Sequence, residues 1–197
     1  EDASFQLESA TGGTVTNRDL IGQPQLIFFG FTHCPEICPT TLYRMSSMAE
    51  RLDATDQLGI VFVTVDPDRD TAMLLADYIS NFSPNITALT GTPAAIRQLA
   101  DHYRVVVQKV DLGGGDYTVD HTASVFMFDR KGAFSGVIAW GEADATIEEK
   151  IKRLIKFHIV VFTIRVITSR AVGDGSCWAH KICICQSPIP VPIPCII

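Results

Sequence analysis

The feature that most constrains this 197-residue chain is a close pair of cysteines, Cys34 and Cys38. The run 25–31 before them is almost continuously apolar, which predicts a strand buried on both faces. Apolar side chains then recur at helical spacing, at Leu42, Met45, Ala49 and Leu52. Pro39 fits the first turn of that helix, where its missing N–H loses no hydrogen bond. The cysteines are therefore predicted to lie where a buried strand passes into a helix.

This position favours reactive sulfur chemistry. Free N–H groups and the positive end of the dipole at a helix N-terminus lower a cysteine pKa, and the thiolate is the form that attacks disulfides and binds metals. In a helix, the spacing of Cys34 and Cys38 places both sulfurs on one face, with the Cα atoms about 6 Å apart and within disulfide reach. Both thiolates can also chelate one soft ion, Cu(I), or Zn(II) where four ligands are available. A metal site would need a third ligand from elsewhere.

The rest of the pattern predicts an α/β fold, with a mixed central sheet covered by helices on both faces and an N-terminal β-hairpin. Strands are predicted over 5–7, 14–20, 25–31, 59–65, 86–89, 105–110, 124–128 and 134–140. Helices are predicted from about Pro39, from a cap at Asp70 or Thr71 to about residue 82, from Thr92 to about Tyr103, and over 143–156. The three consecutive glycines at 113–115 predict a turn.

The last part of the chain differs in character. The segment 187–194 alternates with proline and can form neither a helix nor an interior strand. The cysteines of this part follow no spacing typical of a metal site, at positions Cys177, Cys183, Cys185 and Cys195. We therefore expect one domain over 1–156 and an atypical tail over 157–197 outside that fold.

Composition excludes several classes of partner. A net charge of −6 argues against a general nucleic-acid binder and gives no attraction to an anionic membrane surface. The longest apolar run, 159–164, is far shorter than the roughly 20 residues of a membrane-spanning helix. The first residue is Glu1 rather than Met, so we expect a processed chain whose membrane association runs only through a segment absent from it.

Three stretches are informative together. They read Phe-Gly-Phe-Thr-His-Cys-Pro-Glu-Ile-Cys-Pro-Thr-Thr over 29–41, Val-Asp-Pro-Asp-Arg-Asp-Thr over 65–71, and Tyr-Thr-Val-Asp-His-Thr over 117–122. In this order and separation they resemble the signature of the Sco/SenC family of copper proteins, and the resemblance covers roughly residues 5–156. Three motifs in order are specific, whereas a lone pair of cysteines would be weak evidence.

The resemblance implies a thioredoxin-like fold and copper, Cu(I) or Cu(II), bound by Cys34, Cys38 and His121. It also implies a metallochaperone role in assembling the binuclear copper centre of cytochrome c oxidase. The expected partner is the copper-accepting subunit of the oxidase, with copper chaperones and thiol reductants as further candidates. Family members face the periplasm or the mitochondrial intermembrane space, so we expect the periplasmic face of the bacterial inner membrane, with the intermembrane space as the alternative.

Three other side chains are candidates to tune the ligands. His33 adjoins Cys34, but adjacent side chains tend to point apart, so we expect it to modulate the thiolates rather than to bind copper. Asp66 corresponds to the aspartate of the family's Asp-Pro motif and can hydrogen-bond to the site or dock a partner, or simply form a turn. Asp120 precedes the histidine motif and is a further neighbour of the site. Arg69 and Asp70 are expected to form a local ion pair and a helix cap.

Two functions stay open. In the first, Cys34, Cys38 and His121 hold copper and pass it to an acceptor by ligand exchange. In the second, the chain is a thiol-disulfide oxidoreductase: one cysteine attacks a disulfide, the other resolves the mixed intermediate, and His121 tunes the thiolate. The two are compatible, because a reductase could prepare the acceptor's thiols. A peroxidase is less favoured, since it would need one low-pKa cysteine in a different motif. His121 distinguishes the first two functions, because a copper site needs a third ligand and a disulfide reductase does not.

Overall fold

The structure is a computed structural model, and it describes residues 4–82 and 86–156. The elements in these ranges are β1 (Gln6–Ser9), β2 (Thr14–Thr16), β3 (Gln25–Gly30), α1 (Ile37–Arg51), β4 (Gly59–Thr64), α2 (Ala72–Ile79), β5 (Ile86–Thr90), α3 (Pro93–His102), β6 (Val107–Gly113), β7 (Asp116–His121), β8 (Val125–Phe128), β9 (Phe134–Ile138) and α4 (Asp144–Lys156). The predictions for the tail 157–197 and its cysteines lie outside the described residues.

Seven of these strands form one mixed sheet, in the order β2-β1-β5-β4-β3-β8-β9. β3, β4 and β5 are parallel, and β8 pairs antiparallel with β3. Every residue of β3 and β4 is buried, as their continuous apolar character predicts for central strands covered on both faces. The antiparallel pair β1–β2 extends the sheet beyond β5. The mixed sheet and the N-terminal hairpin are thus confirmed.

Successive side chains of β3 contact helices on opposite faces of the sheet. Phe28 stacks on Phe62 of β4, and Phe62 packs against Tyr78 of α2. Phe29 points the other way and packs against Tyr103, the residue that ends α3. Aromatic pairs of this kind contribute about 0.5–1.5 kcal/mol each beyond the area they bury. The predicted arrangement of helices on both faces is confirmed.

The helix starts follow the capping signals of the sequence. The Oγ1 atom of Thr71 accepts a hydrogen bond from the N–H of Leu74, so Thr71 rather than Asp70 caps α2. Thr92 caps α3 in the same way, with Pro93 at the first helical position. Across the described residues, none of the helices combines the length and the apolar character that crossing a bilayer requires.

β6 and β7 form a two-stranded ribbon. The sequence pattern predicts a strand over 105–110 and a turn at 113–115, but it does not predict the second strand of this pair. The two strands pair with each other and not with the seven-stranded sheet. Gly113, Gly114 and Gly115 have positive φ angles at its turn, where a side chain would be strained. His121 lies between the predicted strands 105–110 and 124–128, and it is the last residue of β7, opposite Val107. Most residues of β6 are exposed, so the ribbon lacks the alternation that identifies a half-buried strand.

Candidate metal centre

The two cysteines lie where β3 passes into α1. Cys34 is in the connecting loop, and Cys38 is in the first turn of the helix. The backbone N–H of Cys38 donates to the sulfur of Cys34 over 3.4 Å, as a free amide at a helix N-terminus can do. Both cysteines are free thiols. Cys34 is 9% exposed and Cys38 is 0% exposed, so the second sulfur belongs to the core.

A buried carboxylate, Asp70, holds the start of the cysteine loop. It accepts hydrogen bonds from the N–H of Thr32 (3.1 Å), from the hydroxyl of Thr32 (2.6 Å) and from the hydroxyl of Thr64 (2.6 Å). Asp70 has no solvent exposure, so these donors replace water. The expected local role in capping α2 is therefore wrong. Asp70 instead ties the loop after β3 to the end of β4.

Gly30 makes room for the buried sulfur. A Cβ atom at this position would lie 2.7 Å from Sγ of Cys38 and 2.8 Å from the ring of Phe62. Any side chain here would displace the sulfur or the ring. The sequence does carry a signal for this contact, since a glycine inside an apolar strand often marks a close approach, although no role was predicted for Gly30.

His121 reaches the cysteines from the end of the ribbon. Its ring packs edge-on against Phe31 and Phe28, with centroids 5.8 and 6.0 Å away. Nδ1 lies 3.1 Å from the carbonyl oxygen of Thr122. A carbonyl oxygen can only accept, so the proton of the neutral ring is on Nδ1 and the lone pair is on Nε2. Nε2 lies 3.5 Å from Sγ of Cys38 and is ready to act as a ligand.

Cys34, Cys38 and His121 thus form one cluster. The three ligand atoms all lie within 4.8 Å of one another, and no other group of three or more potential ligands occurs among the described residues. Two sulfurs and one imidazole nitrogen suit Cu(I), which accepts three soft ligands. A structural zinc site would need a fourth protein ligand, and none joins the cluster in the described part of the chain.

The two sulfurs differ in their protonation. The pKa of Cys34 is lowered to about 3, chiefly by the hydrogen bond from the Cys38 thiol and also by the backbone N–H groups of Cys38 and Glu36. The pKa of Cys38 is raised, because its thiol donates to Cys34 and is buried. At neutral pH the reduced pair therefore shares one proton and one negative charge. A metal ion that binds both sulfurs must displace that proton.

The other predicted site residues, Asp66, His33 and Asp120, make their contacts outside the cluster. Asp66 is buried, and its carboxylate accepts hydrogen bonds from the hydroxyl of Tyr117 (2.7 Å) and from Nε of Arg69. His33 is half exposed, and its Nδ1 lies 3.0 Å from the hydroxyl of Thr32. Asp120 is exposed on β7. In the described ranges, none of the three candidates makes a hydrogen bond to the cysteines or to His121. That they tune the ligands stays a prediction.

Comparison with known proteins identifies the family. The profile of the SCO1/SenC family matches residues 1–156. The chain belongs to the SCO1/SenC family. The mitochondrial SCO2 homolog of Danio rerio is 35% identical over 162 residues, which are 80% of this chain and 58% of that protein. The human mitochondrial SCO1 homolog is 38% identical over 134 residues, 66% of this chain and 44% of that protein. This chain spans about half the length of the curated relatives it matches.

A solved structure shares both the fold and much of the sequence. Bradyrhizobium japonicum ScoI with copper bound superposes with a TM-score of 0.71 at 39% identity, over 78% of this chain and 98% of that one. SCO2-like proteins of Rickettsia are also among the relatives, so the SCO1/SenC relatives include both mitochondrial and bacterial proteins. The predicted family and the thioredoxin-like fold are confirmed.

Proposed function

We propose that this SCO1/SenC protein binds copper through Cys34, Cys38 and His121 and delivers it to the copper-accepting subunit of cytochrome c oxidase, or prepares the thiols of that subunit. The convergence of the three ligand atoms within 4.8 Å carries this proposal. The copper bound to the similar ScoI of Bradyrhizobium japonicum supports it. The oxidase subunit is the acceptor that membership of the family implies, and copper chaperones or thiol reductants are further partners.

The exposure of the ligands suggests how copper leaves. Cys38 is fully buried, while Cys34 is slightly exposed and His121 is partly exposed. An incoming thiolate therefore reaches the ion on the side of Cys34 and His121. In ligand exchange the acceptor replaces these two ligands first, and Cys38 releases the ion last and takes back its proton. This order agrees with the raised pKa of Cys38.

We place the protein on the periplasmic face of a bacterial inner membrane, with the mitochondrial intermembrane space as the alternative. Both compartments expose the assembling oxidase, and the relatives come from mitochondria and from bacteria. Detection of the full-length gene product in fractionated cells, with a protease protection assay, distinguishes these compartments from the cytosol.

Competitive titration with a chromophoric Cu(I) chelator tests the ligand set. His121→Ala should bind Cu(I) more than about 100-fold more weakly, because loss of a ligand costs more than the 10- to 100-fold that loss of an outer partner costs. His102→Ala is the matched control, since this exposed histidine ends α3 on the other face of the sheet. Equal affinity of the two variants would show that His121 is not a ligand.

The second candidate, a thiol-disulfide oxidoreductase, is favoured by the unequal pKa values of the cysteines. A slightly exposed thiolate at Cys34 and a buried thiol at Cys38 suit a nucleophile and a resolving cysteine. Reduction of an oxidised peptide carrying the acceptor's cysteine pair tests it. If reduction is the main activity, His121→Ala still reduces the peptide, whereas Cys34→Ser does not.

A further inference from the structure

The ribbon that supplies His121 is not part of the main sheet, so backbone pairing with β3 or β4 does not fix its position. Its base is closed by two hydrogen bonds, from the N–H of Thr122 to the carbonyl of Val106 and from the N–H of Val106 to the hydroxyl of Thr122. These bonds join the ribbon's ends to each other, while Val105, just before the ribbon, is buried and donates its N–H to the carbonyl of Ala100 in α3. The position of the imidazole then depends on the packing of its own ring against Phe28 and Phe31 and on side-chain contacts further along the ribbon.

Tyr117 makes those contacts. In a strand, alternate residues share a face, so Tyr117, Val119 and His121 all point to the same side of β7. Val119 is buried, so this side faces the core. The hydroxyl of Tyr117 donates to Oδ1 of Asp66 over 2.7 Å. The guanidinium carbon of Arg69 lies 3.8 Å from the centre of the Tyr117 ring, and Nη1 of Arg69 donates to the carbonyl oxygen of Tyr117 over 2.9 Å.

We call Asp66, Arg69 and Tyr117 the ribbon clamp. Both oxygens of Asp66 are engaged within it, one by Tyr117 and one by Nε of Arg69, and this carboxylate has no solvent exposure. Hydrogen bonds that involve a charge and are shielded from water are stronger than exposed ones. A second link, between Lys109 of β6 and Asp68, joins two half-exposed side chains and adds little.

The ribbon clamp and the cysteine loop share one support. The N–H of Asp66 donates to the hydroxyl of Thr64, and that hydroxyl donates to Asp70. Asp70 in turn accepts the N–H and the hydroxyl of Thr32 at the start of the cysteine loop. A continuous set of buried hydrogen bonds therefore runs from the cysteine loop to the ribbon through the segment 64–70. The sulfurs and the imidazole are positioned from the same short piece of chain.

We infer that Asp66, Arg69 and Tyr117 are positioning residues that hold His121 against the two cysteines, so that opening of the ribbon clamp withdraws the imidazole while both sulfurs stay in place. This inference rests on the proposed copper function. It gives the site a defined way to weaken its hold on copper, because the ribbon can move without unfolding the sheet. Asp66 then acts through Tyr117 and the ribbon, rather than by contact with a ligand.

Two variants of Tyr117 distinguish its hydrogen bond to Asp66 from the contact of its ring with Arg69. Tyr117→Phe removes only the hydrogen bond to Asp66 and keeps the ring against Arg69, whereas Tyr117→Leu removes both. Cu(I) affinity should fall about 10-fold in the first and up to about 100-fold in the second, the range seen when the partner of a metal ligand is lost. Asp68→Ala is the matched control, because it removes the acceptor of the exposed link between the same two segments. It should leave the affinity within about twofold of the parent.

Each variant is also made in the His121→Ala background. If the ribbon clamp acts only through the imidazole, Tyr117→Leu causes no further loss of copper affinity there. An equal loss in both backgrounds would show a general disturbance of the site and would overturn the inference. If His121→Ala strongly lowers the Cu(I) affinity and Tyr117→Leu does not, the role of the ribbon clamp is overturned while the proposed ligand set stands. No effect of His121→Ala would instead overturn the proposed ligand set.

Measurements on the copper-free protein test the role of the ribbon clamp whatever the copper affinities are. In the reduced, copper-free protein, long-range ¹H–¹⁵N spectra of the neutral His121 ring should show a single tautomer, protonated on Nδ1. Tyr117→Leu should give an averaged ring and faster hydrogen exchange of the β7 amides, with exchange in β3 and β4 unchanged. An unchanged tautomer together with unchanged β7 exchange would show that the ribbon clamp does not position His121.

Discussion

The cysteine loop and the β6–β7 ribbon supply one site but are built in opposite ways. The loop joins a strand that is buried at every position to a helix that covers the sheet, and Asp70 fixes its start with three hydrogen bonds. The ribbon is mostly exposed, pairs only with itself, and is held through Tyr117. The sulfur half of the site is therefore part of the core, while the imidazole half is attached to it. The two halves should respond differently to perturbation.

The largest contrast should appear in global stability. Asp70→Ala removes the acceptor of three donors around the cysteine loop, and each unsatisfied buried donor costs about 1–3 kcal/mol. We expect a loss of about 3 kcal/mol or more in the free energy of unfolding, measured by urea denaturation. Tyr117→Leu should lose less than about 1 kcal/mol, because local opening of an exposed ribbon leaves the core packed. Equal losses would show that the ribbon belongs to the same cooperative core as the loop.

A smaller effect is expected at Gly30. The added methyl group of Gly30→Ala would meet the sulfur of Cys38 and the ring of Phe62, and overpacking of a core costs about 1–3 kcal/mol. Both the melting temperature and the Cu(I) affinity should fall. Gly91→Ala is the control, since its Cβ would crowd the end of the Leu7 side chain, 2.8 Å away, and would lie at an ordinary contact distance of 3.9 Å from the Cβ of Ala95. That variant should lose stability while it keeps the affinity, and a fall in its affinity would mean that crowding anywhere disturbs the site.

A further effect depends on pH and distinguishes the two sulfurs. The pKa of Cys34 is lowered in the folded state, so its thiolate stabilises the reduced fold fully above the ordinary thiol pKa. That contribution is lost as the pH falls through the interval down to about 3. The difference in melting temperature between the reduced parent and Cys34→Ser should therefore shrink from pH 8 to pH 4. A difference that is constant over this range would contradict the lowered pKa.

The same contrast explains how much the sequence could predict. The central strands, the helix caps and the position of Cys34 and Cys38 follow from local patterns, because apolar runs, cap residues and spacing act over a few positions. His121 could be assigned only through the family resemblance, since a single histidine 83 positions from Cys38 has no local signature.

The ribbon and its attachment could not be predicted in the same way. Its strands are exposed on most positions and therefore carry no periodic apolar signal. The contact between Tyr117 and Asp66 joins residues 51 positions apart, and that between Asp70 and Thr32 joins residues 38 positions apart. Hydrogen bonds of such separation depend on the whole topology, which composition and spacing do not reveal.

X-ray absorption at the copper edge tests most directly whether one site is assembled from these two regions. The Cu(I)-loaded protein should show two sulfur ligands and one nitrogen ligand, and His121→Ala should keep both sulfurs and lose the nitrogen. Cys38→Ser, which changes the buried half, should lose one sulfur and keep the nitrogen. A nitrogen ligand that persists in His121→Ala, or a parent site with fewer than two sulfurs, would contradict a centre formed by Cys34, Cys38 and His121.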